Sequence, residues 1–102
     1  MKLPDDPLFA KVARGFIENY DEGHYKSWFE KLGFVRQTSN LGDKILIVTD
    51  SEFKSDYIKQ KYLDVLTNLI KYHDNSVVDC EVAVQLVLDD QIIHENYREF
   101  RG

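Results

Sequence analysis

From Val78 to Leu86 the chain alternates: Val78, Cys80, Val82, Val84 and Leu86 face one way, with Asp79, Glu81 and Gln85 opposite. A two-residue period over residues 77–88 predicts a strand with one apolar face. Such a strand cannot bury that face alone. It needs neighbouring strands along its edges and a layer of other elements over its apolar side. The rest of the chain supplies both.

Two helices come first. Asp6 is a suitable N-cap and Pro7 suits the first helical position, where its missing N–H costs nothing. Leu8, Val12, Phe16 and Tyr20 then repeat every four residues, and Phe9, Ala13 and Ile17 widen the stripe, so residues 7–20 are predicted helical. After Asp21 and Gly23 a second helix is expected over about 22–32. Tyr25, Trp28, Phe29 and Leu32 share its apolar face, and Gly33 is placed to stop it.

Residues 34–38 read as a short strand, Ser39 to Asp43 as a turn, and the β-branched run 44–49 as a central strand paired back in a hairpin. Asp50 or Ser51 caps a third helix expected to run unbroken to about Tyr72. Residues 1–88 are thus expected to form one α+β domain of order α-α-β-β-α-β, its helices packed on a small three-stranded sheet in a KH-like topology. Residues 89–102 are a charged tail in which Ile93, Tyr97 and Phe100 at i, i+4 and i+7 allow an extra C-terminal helix.

Composition narrows the function. With 102 residues the chain has room for one core, to which six Tyr, six Phe and one Trp contribute much of the burial. A net charge of −5 opposes binding to phosphate backbones, although Lys54, Lys59 and Lys61 leave room for weak contact with single-stranded nucleic acid. KH-type domains clamp the backbone with a G-x-x-G loop, and the sequence has none. The single cysteine, Cys80, forms no internal disulfide, which fits a reducing cytoplasm. No apolar run approaches the roughly 20 residues of a membrane span, and the start lacks a secretion signal. His24, His73 and His94 lie in three separate segments with no ligand pair at metal spacing. Ser27 and Ser51 have no nucleophile context, and there is no phosphate-binding loop. We therefore expect no catalysis, no metal and no cofactor.

Three stretches carry a resemblance to a known family. Residues 51–63, Ser-Glu-Phe-Lys-Ser-Asp-Tyr-Ile-Lys-Gln-Lys-Tyr-Leu, hold an N-cap, an aromatic two residues later, an aromatic–aliphatic pair and then Lys-Tyr-Leu. Residues 25–32, Tyr-Lys-Ser-Trp-Phe-Glu-Lys-Leu, and the amphipathic stretch Leu8 to Tyr20 precede it in order. Together, over roughly residues 7–86, they resemble the N-terminal domain of the bacterial chromosomal replication initiator DnaA. The resemblance implies a non-catalytic module that contacts the replicative DNA helicase, binds initiation regulators and self-associates. It implies partner binding at His24, Phe53 and Asp56, and self-association, as in a homodimer, through Leu8, Phe9 and Val12. The family carries an acidic residue where His24 stands and Trp where Phe9 stands, and its hairpin turn is shorter. The ATPase and DNA-binding parts of a full initiator are not in this sequence. That leaves either a cut-out domain or a free-standing relative that could compete with the full-length initiator.

Each of these residues also has an ordinary structural reading. Phe53 can be the first core residue of the third helix. Leu8, Phe9 and Val12 can pack on the domain's own core rather than on a second copy. Trp28, Tyr62, Leu66 and Cys80 are expected in the core, and the histidines on the surface.

Overall fold

The computed structural model describes residues 2–88 and 91–94. Helix α1 spans Pro7–Asn19, and Asp6 caps it by accepting a 2.8 Å bond from the Leu8 N–H. Asp21 caps the next helix at once. That helix, α2 (Glu22–His24), widens into a π-helical turn over Tyr25–Phe29, closed by the Glu30 N–H donating to the Tyr25 carbonyl at 2.8 Å. The wider turn brings Tyr25 and Phe29 into the core together, stacked with centroids 5.1 Å apart. Gly33, expected to stop the second helix, is instead the first residue of a strand.

Strands β1 (Gly33–Ser39) and β2 (Gly42–Thr49) form the expected hairpin. Pairing reaches Ser39 and Gly42, so only Asn40 and Leu41 remain in the turn, which is tighter than the Ser39–Asp43 turn expected. Two helices follow, α3 (Glu52–Lys61) and α4 (Leu63–His73), and then strands β3 (Val77–Leu88) and β4 (Gln91–His94). The sheet order is β1-β2-β3-β4, with β2 and β3 parallel and the outer pairs antiparallel. The domain is α+β as expected, but the sheet gains a fourth strand. It occupies part of the tail where an extra helix was allowed. The β-branched pair Ile92-Ile93 suits that extended pairing with Leu86 and Val87. Tyr97 and Phe100, the rest of that helical pattern, lie outside the described residues.

The third helix breaks at Tyr62, whose backbone (φ −123°, ψ −14°) leaves the helical region. Its ring is buried against Phe16 and Tyr20, with centroid separations of 5.2 and 5.0 Å. Hydrogen bonds persist on both sides, from the Tyr62 N–H to Ile58 and from the Leu66 N–H to Tyr62. The break therefore redirects the chain without orphaning backbone groups. Leu66 is buried as well.

All the helices pack on one side of the sheet. Phe9, Val12, Ala13 and Phe16 of α1 meet Tyr25 and Phe29, then Ile58, Tyr62, Leu66 and Ile70, over Ile45, Ile47, Cys80 and Val82. Leu46 and Val48, on the opposite face of β2, are buried too, which is why residues 45–48 read as an uninterrupted apolar run. Cys80 sits in this core, and burial pushes its thiol pKa up.

One detail of β3 departs from strict alternation. Asp43 pairs with Val77 and Lys44 with Asp79, so Val78 is an extra residue bulged out of the ladder. Val77 is buried while Val78 is 51% exposed. The apolar face expected to begin at Val78 begins at Val77 and resumes in phase at Cys80.

A candidate protein-interaction face

The partner-binding residues named by the resemblance fall on the second helical unit and on the start of α3. Ser51 caps α3 by accepting from the Lys54 N–H at 3.2 Å. Phe53, in the first turn after that cap, points into solvent and is 73% exposed. Asp56, three residues on, is exposed on the same side of the helix. Tyr57, four residues after Phe53, is half-buried beneath the indole of Trp28, the rings stacked at 4.0 Å and 20°. Trp28 is thus not a full core residue; it closes the seam between the π-helical turn and α3.

His24 lies about one turn before Trp28 and is exposed. Its backbone N–H and its ring Nδ1 both contact Asp21 Oδ1 at 2.7 Å. The backbone hydrogen bond first, and the ring contact second, lower the Asp21 pKa, so that carboxylate is held ionised at the surface. The imidazole also leans on Tyr20 and Tyr62, with centroids 5.5 and 6.4 Å away. Burial, with Tyr57 and Tyr20 nearby, pushes the Tyr62 hydroxyl pKa up to about 12. A shallow depression of about 290 Å³ opens between Asp21, Gly23, His24, Ser27 and Trp28.

An aromatic chain therefore links the two separate segments: His24 to Tyr62, Tyr62 to Tyr57, and Tyr57 to Trp28. Exposed beside its ends are His24 with Asp21 on one segment and, on the first turns of α3, Phe53 and Asp56 on the other. Such a surface can offer an apolar anchor, Phe53, with a carboxylate on the same helix face and a second one on the neighbouring segment. Asp21 and Tyr57 were not singled out in the sequence. The signal for Asp21 was present, since an Asp just before a short helix is a capping residue whose side chain is fixed.

The helix 1 residues are placed differently. Val12 is wholly enclosed, Phe9 is buried and stacked on Phe34 at 4.2 Å, and Leu8 is half-buried. Of these three, Leu8 keeps the most surface for a second copy.

The lysines considered for nucleic acid are partly committed elsewhere: Lys54 Nζ lies 3.1 Å from Asp50 Oδ1, one helical turn away. Among the described residues, no three His, Cys, Asp or Glu side chains converge as metal ligands. No described helix is long and apolar enough to cross a membrane.

Comparison with known proteins identifies the family. Residues 6–72 match the family model of the DnaA N-terminal domain. The chain is similar to the chromosomal replication initiator proteins DnaA of Rickettsia canadensis (strain McKiel), Rickettsia massiliae (strain Mtu5) and Rickettsia akari (strain Hartford). Each is 28% identical over 78 residues, which is 76% of this chain and 16% of the relative. The chain thus spans under a fifth of the length of these relatives. No solved structure matches it. With a family match that runs from the Asp6 cap of α1 into the last turn of α4, well over half of the chain, the chain belongs to the DnaA N-terminal domain family.

Proposed function

We propose that this domain is a non-catalytic, cytoplasmic protein-interaction module of bacterial replication initiation. Its partner face is built from Phe53 and Asp56 on α3 and from His24 with Asp21 on the preceding helical unit. The partners are the replicative DNA helicase and initiation regulators. The observation that carries this reading is Phe53: a large apolar side chain held out in solvent on a capped, rigid helix start, beside the Trp28–Tyr57 stack. An exposed aromatic on a fixed backbone loses little entropy when a partner covers it.

The acidic function that the family resemblance places at position 24 is supplied by Asp21, whose carboxylate touches the His24 ring. A carboxylate is thus present at this spot although His24 itself carries none. Self-association through the start of α1 belongs to the same reading, with Leu8 at the surface and Phe9 and Val12 holding its backbone from the inside.

The test is the affinity of the chain for the replicative helicase of its own organism, measured by calorimetry with and without Phe53→Ala and Asp21→Asn. Loss of at least about tenfold in affinity with Phe53→Ala, the usual size of a hot-spot truncation, is expected. Unchanged affinity in both variants would place the helicase contact elsewhere.

A further inference from the structure

Two helical stripes face one another on a part of the surface that shares no residue with the Phe53 face. On α1, Lys11, Arg14 and Glu18 follow at i, i+3 and i+7, with Gly15 in the same stripe. On α4, Leu69, Tyr72 and His73 follow at i, i+3 and i+4. The helices come close here because Gly15 has no side chain: a Cβ on it would lie 2.6 Å from Leu69 Cδ2. Between the stripes runs an open groove of about 310 Å³. Leu69 and the bare backbone of Gly15 form its floor. Tyr72 stands at its side, 80% exposed, its ring edge-on to His73 with centroids 5.0 Å apart.

The charge of this groove runs against that of the molecule. The chain has 18 acidic residues against 13 lysines and arginines. Arg36, Lys44 and Lys54 are each paired with a carboxylate. Lys11 and Arg14 are exposed and, among the described residues, neither is in ion-pair contact; the same holds for Lys71 beside Tyr72. Glu18 is the one acid in the lining. An apolar floor, an aromatic standing free and unpaired cations on the rim are complementary to alternating carboxylates and aliphatic side chains. A polyphosphate strand is a poorer fit. It carries a charge on every unit and has no aliphatic side chain for the Leu69 floor, so it meets more of the opposing net charge of −5 with less apolar contact than a short peptide whose carboxylates alternate with aliphatic residues.

We infer that the groove between α1 and α4 is a docking site for an acidic peptide segment of a partner protein. Its carboxylates meet Lys11 and Arg14, and its aliphatic anchor lies on Leu69 beside Tyr72.

The test titrates the isotope-labelled 102-residue chain with a short peptide of alternating glutamate and leucine, and follows the backbone amide resonances. Shifts concentrated in Lys11–Glu18 and Leu69–His73 are expected, weakening as salt is raised. The double variant Lys11→Glu/Arg14→Glu, both positions exposed, should lose at least about tenfold in affinity. The wild-type shift map stands without that variant, so a folding defect cannot mask the result. Shifts confined to other segments, an equal response to the same peptide with lysine in place of glutamate, or no response at all would overturn the assignment. Tighter binding of an oligothymidylate in the same groove would overturn it in favour of nucleic acid.

Discussion

Gly42 lies directly beneath Val78: with φ at +124°, a Cβ on Gly42 would sit 2.5 Å from Val78 Cγ1. The hairpin turn and the β3 bulge are therefore one device, since the bulge pushes Val78 into the space that a side chain at 42 would need. Gly42→Ala should destabilise the domain by about 2–3 kcal/mol, combining positive-φ strain with the collision. Val78→Ala in the Gly42→Ala background should restore part of the loss. A urea-unfolding cycle of the four proteins checks this, and strictly additive effects would show the two residues to be independent.

Arg36 bridges two carboxylates, with Nη1 donating to Asp43 and Nη2 to Asp74 at 2.8 Å. Ser76 donates to both carboxylates, and its backbone N–H donates to Asp74 as well. The Ser76 hydroxyl first, and Arg36 next, hold the Asp74 pKa down to about 2. Because the folded value is depressed, the stabilisation is fully present above the ordinary carboxylate value near 4 and is lost as pH falls towards 2. Asp74→Asn should lower stability at neutral pH and flatten the acid limb between about pH 4 and pH 2. Urea midpoints taken across that range give the answer, and an unchanged slope would remove Asp74 as the responsible group.

Trp28 and Phe53 separate packing from binding. Trp28→Ala removes the ring that covers Tyr57 and should cost about 3 kcal/mol. Phe53→Ala removes an exposed ring and should stay within about 0.5 kcal/mol of the parent. Thermal unfolding compares them directly. A large loss with Phe53→Ala would make it a structural residue and would weaken the case for its role in recognition.

Ser55 is buried on α3, and its hydroxyl has no hydrogen-bond partner among the described residues. Ser55→Ala removes that buried polar atom and improves helix propensity, so it should stabilise the domain by about 0.5–1 kcal/mol. A lower melting temperature would mean that the hydroxyl is bonded in solution.

Most of the fold is legible in the sequence because its signals are local. Asp6-Pro7 marks the start of α1, and the 45–48 run marks a strand buried on both faces. The break at Tyr62 carries no such mark. No Gly or Pro stands there, and the apolar stripe continues through it; what bends the chain is the docking of the Tyr62 ring against Phe16 and Tyr20 from another helix. The bulge at Val78 is hidden for a related reason. Val77 and Val78 are both apolar, so the alternation can start on either, and the pairing with Asp43 and Lys44 decides it.

The candidate site is harder to read than the fold, because an aromatic on a helix start looks the same whether it faces core or water. Phe53 and Phe9 show this: one is exposed, the other buried. Lys11 and Arg14 escape notice for the opposite reason, since lysine and arginine on the polar side of an amphipathic helix read as solvated surface until α4 is placed beside them.

The parallel pairing of β2 with β3 has a consequence for how the molecule is made. Parallel neighbours cannot be closed by a tight turn, and here residues 50–76 intervene, carrying α3 and α4. The β1–β2 hairpin has low contact order, whereas the centre of the sheet closes only after this long loop is gathered in. The family match ends at residue 72, yet Val77, Cys80 and Val82 of β3 fill the core. A chain emerging from the ribosome thus has no cooperative unit to form at that boundary. It remains open to chaperones and proteases until β3 has cleared the exit tunnel.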